Sequence, residues 1–185
     1  KIALQLGYDD LKKNYYDFGF TKPISINFPS SSFGYMNIKD VVSDKELASL
    51  GYGYGLTISP FQIASAYSVF ANDGIYKDFK LLLNEDVTSR RVISDSSATY
   101  VLEALQKVVK EGTGKEAEIL GFSEGGKTGT VHKTKRGAGY IEDSYRASFI
   151  GITPLNEQSL TIFVSIDEPG LNAYSGGAVA APVFA

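Results

Sequence analysis

The chain has no cysteine, a single histidine (His132) and no excess of positive charge. Each shortage excludes something. Without cysteine there is no disulfide, no thiol nucleophile and no cysteine-ligated zinc. One histidine cannot build a zinc site of several histidines or a clustered proton relay. Lysine and arginine number 18 against 21 acidic side chains, a net charge of −3, so there is no basic stripe and no nucleic-acid partner is expected. No apolar run reaches the length that a membrane span requires. What is present is 185 residues, 43% of them hydrophobic, enough for one domain with a real core.

The stretch with the most chemistry is Gly125-Gly126-Lys127-Thr128-Gly129-Thr130. One ammonium and two hydroxyls stand among glycines, which have no Cβ to keep an anionic ligand off the main chain. Lysine and hydroxyls supply charged and neutral donors to a carboxylate or phosphate. Residues 121–128 match the phosphate-loop pattern G-x-x-x-x-G-K-[ST] letter for letter. That mechanism needs a helix directly after the loop, with its N-terminus facing the phosphates. Here Thr130-Val131-His132-Lys133 runs into the polar, glycine-punctuated 134–139 with no helical period. The phosphate-loop reading is therefore set aside, and the hexapeptide is expected on a strand.

In chain order, Gly7 ends a first helix, and Asp9 or Asp10 caps a second over residues 11–18, stopped by Gly19. Residues 20–35 form a loop rich in Ser, Pro and Phe. Ser43-Asp44-Lys45-Glu46 spells a capping box for a short helix over 45–50, and Ser59-Pro60-Phe61-Gln62 spells a second with proline at the first helical position. The latter helix carries a core stripe of Ile63, Ala66, Tyr67, Phe70 and Ala71 and stops at Asn72-Asp73-Gly74. Residues 75–83 and 87–92 pair as a peripheral hairpin. Ser94 or Asp95 caps the clearest helix, whose face is Ala98, Val101, Leu102, Leu105, Val108 and Val109, and Gly112 and Gly114 end it. Residues 115–120 add a helical turn, and Phe122 begins the strand that carries Lys127. Strands near 124–133, 145–153 and 159–167 are joined by a long loop and then a tight connection at 154–157, which makes them antiparallel. The expected fold class is α+β: an antiparallel sheet flanked by helices, with the hexapeptide on the sheet edge.

Lys127-Thr128-Gly129-Thr130 resembles the K-T-G-T motif of the transpeptidase domain of penicillin-binding proteins. Three letters alone are weak, but the resemblance runs along almost the whole chain. It includes residues 55–64 through Ala71-Asn72-Asp73-Gly74, then Gly112-Thr113-Gly114, then Tyr145-Arg146-Ala147-Ser148-Phe149-Ile150-Gly151. It closes with Asp167-Glu168-Pro169 and Tyr174-Ser175-Gly176-Gly177 through Pro182-Val183-Phe184. Within that family the chain resembles the class B, division-type transpeptidases. The resemblance implies the penicillin-binding/serine β-lactamase-like fold, here its C-terminal portion, with residues 1–185 one stretch of a single domain cut at both ends.

The implied chemistry is serine acyl transfer from D-Ala-D-Ala of a peptidoglycan stem peptide, with β-lactams acylating the same serine. Lys127 would hold the proton-transfer network and place positive charge near the substrate carboxylate. Thr128 and Thr130 would bind that carboxylate by their hydroxyls, and the Thr130 N–H would donate to the oxyanion. Gly129 would leave the strand bare for the substrate to lie along it, and Tyr140 and Tyr145 would form an aromatic wall from the loop after the motif. His132 reads as a surface residue at a strand end. The family's nucleophile motif S-x-x-K is missing, because no serine here has lysine three residues later. Its S-x-N motif is missing from the expected place, and Ser25-Ile26-Asn27 lies too late in the chain and reads as a loop. The chain is thus expected to be inert alone, with the N-terminal remainder of the domain supplying the nucleophile. No cofactor or metal is implied. For the parent the resemblance implies a cell-division glycosyltransferase complex as partner, and an extracytoplasmic or periplasmic site anchored by a transmembrane helix outside this chain. A serine β-lactamase-related hydrolase and a non-catalytic module on the same sheet are the alternatives. The 174–184 ending favours the transpeptidases.

Overall fold

The computed structural model describes residues 1–185 except Lys22, residues 25–33, Asn37, Ile38, Asp40, Arg136, Ala138, Asn156, Glu157 and Leu171. Ser25-Ile26-Asn27 therefore lies outside the described residues. The chain divides into two compact units, Lys1–Val69 with Ile75–Val92, and Phe70–Gly74 with Ile93–Ala185.

The first unit holds helices α1 (Ile2–Leu6), α2 (Tyr8–Asp17), α3 (Asp44–Leu50) and α4 (Pro60–Ala71). It also holds two small antiparallel pairs, β1 (Tyr35–Met36) with β2 (Leu56–Thr57), and β3 (Ile75–Lys77) with β4 (Ser89–Arg91). The Ser43 capping box forms as read: the Glu46 amide donates to Ser43 Oγ and the Ser43 amide to Glu46 Oε2. Helix α2 departs from the reading. It begins at Tyr8, directly after Gly7 in the left-handed region (φ 85°), so Asp9 and Asp10 sit in its first turn and favour its positive end without capping it.

Helix α4 also turns a different face inward. Its buried residues are Gln62, Ser65, Ala66 and Val69, whereas Ile63, Tyr67, Phe70 and Ala71 are only half-buried. The reason is polar. Gln62, 1% exposed, accepts at Oε1 from the amides of Ser59 (3.0 Å) and Gly34 (2.7 Å), and donates from Nε2 to the carbonyls of Gly19 (3.2 Å) and Phe20 (3.1 Å). Ser59 Oγ returns the cap by accepting from the Gln62 amide. One side chain thus satisfies main-chain groups of three separate segments, and an apolar stripe cannot report that.

In the second unit, α5 (Asp95–Lys110) is capped by Ser94, whose Oγ accepts from the Ser97 amide at 3.1 Å. It buries Ala98, Leu105 and Val109, and the amides of Gly112 and Gly114 both close on the Val108 carbonyl. A short 3-10 turn, Lys115–Ala117, follows. Phe122 is not in a strand: Gly121 turns the chain at φ 87°, and β5 (Gly125–Lys135) begins three residues later. Strands β5, β6 (Gly139–Thr153) and β7 (Leu160–Asp167) make an antiparallel sheet in that order. The long loop expected between the first two strands is replaced by ladder, which continues to Lys135↔Gly139 with an irregularity between His132 and Thr134. Gly137 and Gly139, both at φ 78°, supply the turn that lets it close.

A π-turn (Gly176–Ala180) and α6 (Ala181–Phe184) cover the sheet. Their core with α5 and the 3-10 turn is Val109, Ala117, Phe149, Ala180, Ala181 and Phe184. Phe149 and Phe184 meet at 5.1 Å between ring centres. They fit because Gly126 and Gly151 lack side chains: a Cβ at Gly126 would lie 2.3 Å from the Phe149 ring, and one at Gly151 2.4 Å from Phe184. The strand that carries the motif is therefore seated by glycines on an aromatic core.

The polar hub of the first unit gives a direct test. Gln62→Leu leaves two buried amides and two carbonyls without partners and is expected to cost about 3 kcal/mol. Urea denaturation measures it, and a loss below about 1 kcal/mol would show that water replaces the amide.

Candidate active site

On a strand, residues two apart share a face, so Thr128 and Thr130 point the same way. The structure gives each hydroxyl a partner from another segment. Thr128 Oγ1 lies 2.8 Å from Thr113 Oγ1, and Thr130 Oγ1 accepts from the Gly176 amide at 3.0 Å. Lys127 is exposed, and its Nζ donates to the Thr128 carbonyl at 2.9 Å. Among the described residues no carboxylate pairs with Lys127, so its charge is not neutralised locally. Beyond the Lys127 side of the sheet no strand follows β5, which leaves an edge among the described residues. The extended run through Lys127 and Thr128 is not a strand-to-helix turn, so the phosphate-loop pattern lacks its structural context.

Glycine at 129 has an internal cause as well as the expected one. A Cβ there would lie 2.5 Å from Ser148 Oγ on β6. Gly176 is more tightly constrained: a Cβ would fall 2.2 Å from the Ser148 carbonyl and 2.5 Å from that of Gly129. The main chain of the last segment therefore rests on the main chain of the motif strand, which is what brings the Gly176 amide to Thr130.

Tyr140 and Tyr145 both lie on β6, not in a loop, because the ladder extends past them. They do assemble, but around His132. Tyr140 and Tyr145 stack on the imidazole at 4.9 and 4.7 Å, and Tyr174 stacks on Tyr145 at 4.4 Å. His132 pairs in register with Tyr145, and its Nε2 lies 2.7 Å from the Ile141 carbonyl, so it is the middle of a ring column and not a strand end. Tyr145 stands beside the Thr130↔Ala147 pair, whereas Tyr140 is beyond the imidazole. Thr113, Ser148, Tyr174 and Gly176 complete the surroundings of the motif. Sequence reasoning did not assign them roles, although all four lie in segments that carry the family resemblance.

Charge closes the far end of the sheet. Lys133 Nζ lies 3.1 Å from Asp167 Oδ2 and 2.8 Å from Glu168 Oε1, and Arg146 reaches Asp167 at 3.0 Å. Bonding to Glu168 and then Asp167 raises the Lys133 ammonium above its ordinary value, and the Lys133 bond is the main cause lowering both carboxyls. At the near end Glu124, 4% exposed, enters the sheet with its Oε2 unpartnered among the described residues. Burial pushes its carboxyl up, against a bond from the Ile119 amide.

Comparison with known proteins fits this arrangement. Residues 1–185 match the family described as "Penicillin binding protein transpeptidase domain". The chain is 36% identical over its whole length to a probable peptidoglycan D,D-transpeptidase PbpC of Pseudomonas aeruginosa, covering 33% of that protein. It is 33% identical to stage V sporulation protein D of Bacillus subtilis, over 99% of the chain and 30% of the relative. Among solved structures, the transpeptidase domain of Burkholderia pseudomallei penicillin-binding protein 3 superposes with a TM-score of 0.87 at 34% identity, over 99% of this chain and 56% of that one. The chain therefore belongs to the penicillin-binding protein transpeptidase family, among its class B members, and spans about a third of the length of the curated relatives it matches.

Two outcomes test the site's packing and charge. Gly176→Ala forces two backbones apart and is expected to cost about 2 kcal/mol in chemical denaturation, whereas Gly170→Ala, with nothing within 4 Å of its Cβ, is expected to be silent. A carboxyl raised by folding contributes fully below its unfolded value and loses that contribution as pH rises through the folded one. Glu124→Gln should therefore gain on the wild type in melting temperature between about pH 4 and about pH 8; an equal difference at both would show that Glu124 does not titrate there.

Proposed function

We propose that this chain forms the K-T-G-T-bearing part of a peptidoglycan D,D-transpeptidase, one stretch of a single catalytic domain. The observation that supports it best is the pair of threonine hydroxyls on one face of an edge strand, each held by a second segment, beside an unneutralised lysine.

In this reading a serine outside these 185 residues attacks the carbonyl between two D-alanines. The serine O–C bond forms, the amide C–N bond breaks, and terminal D-Ala leaves with a proton delivered through the lysine network. An amine of a second stem peptide then displaces the serine and completes the cross-link. Lys127 and Thr130 are the catalytic residues of this chain. Lys127 keeps the proton network charged, and the Thr130 amide donates to the oxyanion as charge develops there. Thr128 and Thr130 bind the substrate carboxylate through their hydroxyls; Thr130, which accepts from the Gly176 amide, has its proton left to give. The substrate adds along the edge at Gly129, and Tyr145, backed by His132 and Tyr140, walls one end.

β-Lactams acylate the same serine. A Mycobacterium tuberculosis penicillin-binding protein 3 solved with ampicillin matches this chain with a TM-score of 0.81 at 26% identity, which supports the same ligand class here. The proposed partners are stem peptides, the remainder of the domain and a division glycosyltransferase complex. The proposed location is the extracytoplasmic face of the plasma membrane. Among the described residues no helix is long and apolar enough to cross a membrane; the proposed anchor is a transmembrane helix of the parent protein.

A fluorescent penicillin, read by denaturing gel and intact mass, tests this. The full-length protein should be labelled and residues 1–185 alone should not, and Lys127→Ala in the full-length protein should slow labelling about 100-fold or more. Labelling of the isolated stretch would place the nucleophile within it. Rapid turnover of the label would favour a hydrolase.

A further inference from the structure

Thr113 lies 14 residues before Lys127 in the chain, yet its hydroxyl is 2.8 Å from that of Thr128. Its backbone is fixed on both sides. Gly114 is buried against Phe149 and Val108, where a Cβ would lie at 3.1 and 3.3 Å, and its amide closes on the Val108 carbonyl at 3.0 Å. From the other side Gly177 approaches so closely that a Cβ would lie 2.3 Å from the Thr113 carbonyl. A loop clamped between α5 and the last segment thus presents one exposed hydroxyl to another.

Two hydroxyls at this distance share one hydrogen bond, and its direction decides what Thr128 can bind. If Thr128 donates to Thr113, its remaining capacity is to accept, which a carboxylate cannot use. If Thr113 donates, one Thr128 lone pair is filled and its proton is free for an acceptor-only anion. A carboxylate selects the second arrangement, and each bond in the resulting chain polarises the next. The same logic holds two residues on, where the Gly176 amide can only donate and so leaves the Thr130 proton free.

We propose that Thr113 is a positioning residue that sets the Thr128 hydroxyl as donor to the carboxylate of the substrate or of a β-lactam. This rests on the carboxylate role proposed above for Thr128. Thr113 touches no reacting atom; it acts through the rotor of Thr128. Its effect is confined to ligands that carry the carboxylate.

The test is acylation of the full-length protein by benzylpenicillin and by its methyl ester, which lacks the carboxylate, in the wild type and in Thr113→Val, Thr113→Ser and Thr128→Val. Thr113→Val, of nearly unchanged shape, is expected to slow the acid about tenfold, the upper end of what one neutral hydrogen bond contributes, and the ester much less. Thr113→Ser should restore the wild-type preference for the acid. Equal slowing of acid and ester by Thr113→Val, with a lowered melting temperature, would make Thr113 a packing residue and overturn the proposal. No effect on either ligand would also overturn it. Should Thr128→Val fail to discriminate acid from ester, the carboxylate role of Thr128 falls and this inference with it. A wild type that no penicillin labels would instead sink the transpeptidase reading itself.

Discussion

Main chain lying directly on main chain, at Gly176 over Gly129 and Ser148, is the contact on which the candidate site depends. A single methyl at 176 would occupy the space of two carbonyl oxygens. Because it is absent, the segment after β7 drops onto the motif strand, its amide reaches Thr130, and Tyr174 lands on Tyr145. Gly177 extends the same approach to the carbonyl of Thr113, which stands against Thr128. The motif's polar atoms are thus arranged by residues with no side chain, and those residues gain conformational restriction only because the surrounding packing holds them.

The opposite device operates in the first unit. There one long polar side chain, Gln62, reaches out to main-chain groups that no regular element could satisfy, and it is buried as a consequence. Buried main-chain groups must be paired, whether by bringing backbones together or by sending a side chain between them.

This difference also explains what the sequence did and did not disclose. Capping boxes are short-range chemistry, so Ser43 and Ser59 marked helix starts correctly. Three antiparallel strands with Lys127 on an edge followed from apolar runs and a tight connection. The buried face of α4 was misread because a glutamine satisfied by distant segments leaves no periodic trace. The hairpin extension was missed because the sequence of residues 134–144 shows no alternation of apolar and polar positions; the pairing continues from the His132–Tyr145 register to two left-handed glycines. Lys127, Thr128 and Thr130 were legible as a motif. Thr113 and Gly176 stood in segments that carry the resemblance, but their roles were not legible, since the contacts that make them matter join positions 15 and 46 residues apart.

The edge to which a ligand strand adds in the proposed reading is also open to another copy of itself. Two β5 strands meeting antiparallel about Val131 would set Lys127 of each copy directly opposite Lys135 of the other. Like charges face to face penalise such pairs, whereas a peptide ending in a carboxylate meets the same lysine with attraction. In the proposed reading Lys127 and Lys135 therefore disfavour pairing of this strand with its own sequence and favour an anionic guest.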